Sequence, residues 1–201
     1  GIEKLRGNVQ RFIADMNRMS REHDLGDIDV FVPEEKFEGA YRLMGKGVND
    51  MVKGHLSVKK KSMACVAEFG RGNFEAALEK FPGKKAFINE TVEQVRSNLK
   101  ALIADADLLA RAAVEGKLST RADASRHHGD FRRIVDGVNN TLDAVIGPLN
   151  VAANYVERIS RGDNPPRITD TYNGDFNTIK NNLNVLVDSM QQVTQVAQRL
   201  A

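Results

Sequence analysis

Apolar residues return along this chain at alternating steps of four and three. The longest run is Phe131, Val135, Val138, Leu142, Val145, Leu149, Ala152, Val156 and Ile159. Four unbroken heptads predict a helix whose narrow apolar seam faces partner helices. The register passes Gly147 and Pro148 without slipping, although proline inside a helix costs about 3 kcal/mol. Shorter seams run from Leu5 to Met19, Phe37 to Met51, Ile88 to Ala113 and Phe176 to Leu200. After Met51 the pattern falters. His55 and Ser62 fall on seam positions, whereas Val52, Leu56, Met63 and Val66 fit a register one residue later, which predicts a local change of helix phase.

Connectors rich in Gly, Pro and Asp separate the seams: His23–Lys36, Gly70–Lys85, Glu115–Asp130 and Ser160–Asp175. Each carries a glycine where the preceding helix ends: Gly26, Gly72, Gly116 and Gly162. A glycine there can take positive φ and cap the helix. Their spacing of 46, 44 and 46 residues indicates duplicated units. Two residues after the first three glycines stand Ile28, Phe74 and Leu118, and a second small or apolar residue follows at Val32, Leu78, Ala122 and Ile168. These are candidate pegs that pack an extended connector onto the helices. The fourth connector replaces the first peg with Asn164 and then Pro165-Pro166, so it is expected to be stiffer or pegged differently.

A dozen extended residues, at about 3.3 Å each, can return along a whole short helix. The two helices of a unit can therefore lie parallel. A pair with a two-in-seven seam does not close a core alone, and dimerisation into a four-helix bundle completes it. Periodicity by itself leaves a monomeric antiparallel bundle equally open.

A parallel helix pair joined by a glycine-started, twice-pegged connector resembles the HAMP domain, the signal relay of bacterial chemoreceptors and sensor kinases. The resemblance is strongest in LARAAVEGKLSTRADASRHHGDFRRIVDGVN and VERISRGDNPPRITDTYNGDFNTIKNNLN, where Gly129-Asp130-Phe131 and Gly174-Asp175-Phe176 open the second helices. Asp130 and Asp175 match the family's acidic residue at that place, and such a residue can cap free N–H groups and complement the helix dipole. Pro148 matches the family's proline near the start of a first helix. PEEKF and PGKKAF stand in place of the triplet in the first two units, which are divergent.

The resemblance implies an all-α fold of tandem HAMP-like units. Each is a parallel four-helix coiled coil formed by a homodimer, stacked end to end through continuous helices. The expected units are residues 1–55, 56–103, 104–147 and 148–201, the last including the start of a downstream signalling helix. Pro148 then marks a unit junction. The implied function is a non-catalytic relay in a methyl-accepting chemotaxis protein. Its partners would be a second copy of the chain and, through regions beyond Ala201, a chemotaxis kinase and coupling protein. A sensor histidine kinase array and a static coiled-coil scaffold are the alternatives.

Composition agrees with helical bundles: 6% aromatic, no Trp and 28% charged. A net charge of +2 implies no nucleic-acid partner. No apolar run is long enough to span a membrane. The fragment is expected on the cytoplasmic side, in a receptor that is either membrane-anchored or soluble, and Gly1 enters directly into helical pattern as a cut fragment does. The single Cys65 leaves no disulfide framework and suits a small buried hydrophobe. No phosphate loop or nucleophile elbow is present, so no cofactor, metal or catalytic residue is expected. His127-His128 reads as part of a solvated connector, Lys59-Lys60-Lys61 as a solvated helix face, and Gln191-Gln192 as a weak match to a methylation pair.

Overall fold

The structure, a computed structural model, describes residues 1–200. Its five long helices are α1 (Ile2–Asp24), α2 (Gly39–Gly70), α3 (Ala86–Val114), α4 (Gly129–Ser160) and α5 (Gly174–Leu200). Single 3-10 turns at Glu34–Lys36, Gly83–Lys85 and Ala124–Arg126 end the first three connectors. The chain divides into two compact halves, Gly1–Lys100 and Ala101–Ala201.

In the first half, α1 and α2 run parallel. Phe12 lies edge-on to Phe37 at 5.4 Å and tilted against Tyr41 at 6.2 Å, so the opening of α2 sits beside the middle of α1, far from its end at Asp24. Met19 and Val32 complete this core. Further along, Cys65 and Phe69 of α2 pack against Val92 and Ile88 of α3, with Phe74, Ala76 and Leu78 of the connector laid over them. The phase change expected after Met51 occurs only in part. Val52 and Leu56 turn inward, but Met63 and Val66 are exposed, and Ser62, Cys65 and Phe69 take the inner face. The helix runs through without a break.

The second half repeats the plan twice. Asp105, well before the end of α3, meets His127, the penultimate residue before α4. Pro148, Val151 and Ala152 of α4 face Phe176, Ile179 and Leu183 near the start of α5.

Helix α4 is continuous from Gly129 to Ser160 with Pro148 inside it. Likewise α2 and α3 run unbroken past residues 55 and 103. The seams are only half satisfied: Val9, Val95, Val138, Val145, Leu149 and Leu186 are each 38–44% exposed.

Candidate functional site

The four connectors are the chain's distinctive local structure, and each begins with the same cap. Gly26, Gly72, Gly116 and Gly162 have φ of 100°, 84°, 73° and 78°. At each, the glycine N–H reaches back three residues and the next N–H reaches back five. At Gly116 these bonds are Gly116 N–H to the Ala113 carbonyl, 3.1 Å, and Lys117 N–H to the Ala112 carbonyl, 2.8 Å. This Schellman pair satisfies carbonyls that the helix end leaves free. A second set of positive-φ glycines, Gly39, Gly83, Gly129 and Gly174, starts or closely precedes the following helix.

The second peg is the tighter one. Val32, Ala122 and Ile168 are buried, and Leu78 is half-buried. Of the first pegs, Ile28 and Phe74 are half-buried, and Phe74 lies 5.8 Å from the Phe69 ring. Leu118 departs from expectation, being 41% exposed. There Arg121 takes over, donating to the Leu118 and Thr120 carbonyls and to Asp143. In the fourth connector the fully buried Pro165 fills the first-peg place, one residue later.

Sequence reasoning missed the clasp that holds the second peg. The Asn49 side-chain amide accepts from the Val32 N–H at 3.0 Å and donates to the Val32 carbonyl at 2.8 Å. Asn139 does the same for Ala122, at 3.1 and 2.9 Å, and Asn184 for Ile168, at 2.7 and 3.0 Å. An extended residue's two backbone groups face one way, and a primary amide matches both. The available signal was position, since each asparagine stands ten residues after the glycine opening its helix. Gly45 supports the first clasp by leaving room, because a Cβ there would meet Val32 Cγ1 at 3.3 Å.

The second connector is held differently. Asn89 bridges the Phe81 N–H and the Glu79 carbonyl. Arg96, nearly buried, donates to the Phe74 and Ala76 carbonyls at 2.5 and 2.6 Å and covers the Phe69 ring at 4.9 Å. Lys60 and Lys61 brace the connectors through Asp29 and Glu79. Glu68 accepts from Asn73 and Arg71, which holds its carboxyl below the usual range. Asp123 is likewise held low by the Ser125 hydroxyl and backbone N–H.

Asp130 and Asp175 occupy the first turns of α4 and α5. Asp130 makes no capping hydrogen bond and instead pairs with Arg133 at 2.6 Å. Its exposed position still complements the helix dipole. His127 overturns its reading as a solvated connector residue. It is 4% exposed and bonded to Asp105, while only His128 faces solvent. Gln191 and Gln192 are exposed on α5.

Residues 58–100 match HAMP N-terminal domain 3, and residues 126–192 match the HAMP domain. Both segments are thus similar to HAMP domains. Over 116 residues, 57% of its length, it is 39% identical to the methyl-accepting chemotaxis protein McpB of Pseudomonas aeruginosa. It spans only 17% of that relative's length. Among the described residues no helix is long and apolar enough to cross a membrane.

Proposed function

We propose that the chain is a signal-relay array of a chemoreceptor, built of four HAMP units at residues 1–55, 56–103, 104–147 and 148–201. Continuity of helix carries this reading. Each of α2, α3 and α4 is one unbroken helix that ends one unit and begins the next. Rotation, tilt or repacking at one unit then reaches the following unit without crossing a flexible joint. The half-exposed seams support a parallel homodimer, in which identical seams close a four-helix core. The connector glycines shape each return, the pegs and their clasps fix it to the bundle, and Pro148 marks the third junction.

A relay needs two packings close in free energy, which an input can bias. The seams alternate Ala106, Ala113 and Ala152 with bulky Leu and Val. Such an unevenly filled core can repack. The chain is read as non-catalytic and as acting on the cytoplasmic side, with kinase control supplied by segments outside it, as the similarity to a chemotaxis protein supports.

A locking disulfide at Val9→Cys in the first unit tests the relay. The rate of crosslinking at Leu186→Cys in the fourth is expected to change when the lock closes. An unchanged rate would identify a static scaffold.

A further inference from the structure

Immediately before Gly39, Gly83, Gly129 and Gly174 stand Glu38, Pro82, His128 and Asn173. Only the fourth unit places an asparagine there, and Asn173–Gly174 is the one Asn-Gly step in the chain. An asparagine carboxamide can be attacked by the peptide nitrogen of the next residue, which closes a five-membered ring. Three conditions govern that attack: a free side chain, a free N–H on the next residue and an uncrowded approach.

The structure separates Asn173 from the other asparagines on these grounds. Asn173 is exposed. The amides of Asn49, Asn139 and Asn184 are held in their clasps. Gly174 is the first residue of α5, so its N–H is one of the four that a helix leaves without an intrahelical acceptor. No backbone carbonyl outside the helix accepts it among the described residues. Nor does any atom lie within 4 Å of a Cβ built on Gly174. Asp136–Gly137 is the related acidic step, but it lies inside α4, where the helix ladder engages the Gly137 nitrogen and Asp136 pairs with Arg132. Asn164 is followed by Pro165, whose nitrogen carries no hydrogen.

We propose that Asn173 is a site of spontaneous deamidation, which rewrites the start of α5 as the protein ages. Hydroxide takes the Gly174 N–H proton, and the nitrogen attacks Cγ of Asn173. The N–Cγ bond forms, the Cγ–Nδ2 bond breaks, and Nδ2 leaves as ammonia after taking a proton from water. Water then opens the succinimide at either carbonyl. The sum is one water consumed and one ammonia released, with no change of oxidation state. One opening gives aspartate, and the other gives isoaspartate, whose backbone runs through Cβ.

Both products put a new carboxylate at the positive end of α5, close to Asp175. Aspartate caps a helix about as well as asparagine, and its charge complements the dipole. Glu38 already sets a carboxylate at this place in the first unit. Isoaspartate acts differently. It lengthens the chain by one atom between Tyr172 and Phe176, which line one cleft with Pro148 and Val151 of α4. The seat of the fourth connector then changes. Any consequence for signalling rests on the relay reading; the chemistry does not, and the experiment reads the chemistry alone.

The folded 201-residue chain is held at 37 °C at pH 6 and pH 8.5, digested with trypsin and read by mass spectrometry. The peptide of residues 168–180 is expected to gain one mass unit, located at Asn173 by fragmentation, and to split into aspartyl and isoaspartyl forms. The gain is expected to be faster at pH 8.5. Asn177, in the same peptide, is expected to stay intact. The whole chain is expected to acquire one negative charge on isoelectric focusing. Asn173→Ser, which keeps a capping side chain, is expected to abolish that drift. An Asn173 that stays intact in the folded chain would overturn the proposal. A gain shared equally with Asn177, or an acidic drift that survives Asn173→Ser at its full rate, would overturn it as well.

Discussion

Asn139 grips Ala122 by both of its backbone groups, accepting from the N–H and donating to the carbonyl from one side-chain amide. The two residues are 17 apart in sequence, and their link fixes the connector to α4 at the depth where Ala122 is buried. A buried backbone group left without a partner costs about 1–3 kcal/mol. Asn139→Ala is therefore expected to destabilise the second half by about 2 kcal/mol in urea unfolding. Asn139→Asp keeps the acceptor and loses the donor, so a smaller loss is expected. Faster amide exchange at Ala122 would accompany Asn139→Ala, which removes the acceptor of that N–H.

Arg96 plays the corresponding part in the second connector with a planar fork, and lysine cannot reproduce two divergent bonds plus ring coverage. Arg96→Lys is expected to cost about 2 kcal/mol by the loss of those bonds. Cys65, whose thiol lies 3.7 Å from the Arg96 guanidinium, reports the change directly. Its labelling by a thiol reagent is expected to accelerate in the variant, and an unchanged rate would show that Arg96 does not hold the connector closed.

Gly116 needs its left-handed backbone rather than empty space. No atom lies within 4 Å of a Cβ built there, yet φ is 73°. An L side chain costs about 1–2 kcal/mol in that region, offset in part by a stiffer unfolded chain. Gly116→Ala is expected to lower stability by about 1 kcal/mol, whereas Gly147→Ala, at an uncrowded helical glycine, is expected to raise it by a similar amount.

Pro148 removes one helical hydrogen bond from α4, and the helix nevertheless continues. Pro148→Ala is expected to stabilise the chain by about 1–3 kcal/mol, since proline is the poorest interior residue. Slower amide exchange from Val145 to Leu149 would accompany the gain. No slowing there would indicate that the junction opens in solution.

The seams and cap glycines were legible because they follow from helical period and from backbone conformation, both of which act locally. Connector length permitted the parallel return of the chain from Gly26 to Tyr41, but periodicity left an antiparallel bundle equally open, and the Phe12–Phe37 contact decides it. The clasps were not legible in the same way. Asn49, Asn139 and Asn184 act on residues on another segment, and only their fixed distance from a glycine betrays them. His127 was misread because connector histidines are usually solvated, and its partner Asp105 lies on the preceding helix amid apolar residues. Phe37, Phe81 and Tyr172, which stand two residues before Gly39, Gly83 and Gly174 as His127 stands before Gly129, were the signal in the sequence that its place packs inward. Leu118 was expected to pack as Ile28 and Phe74 do, but Arg121 holds that connector by its carbonyls instead.

The parallel dimer is tested most directly by disulfide formation at Val145→Cys in a Cys65→Ala background. A parallel seam brings identical residues together across the dimer axis, so rapid crosslinking to a species of twice the 22.2 kDa chain mass is expected. A chain that stays at 22.2 kDa under the same oxidation, and sediments as a monomer without it, would contradict the parallel four-helix assembly.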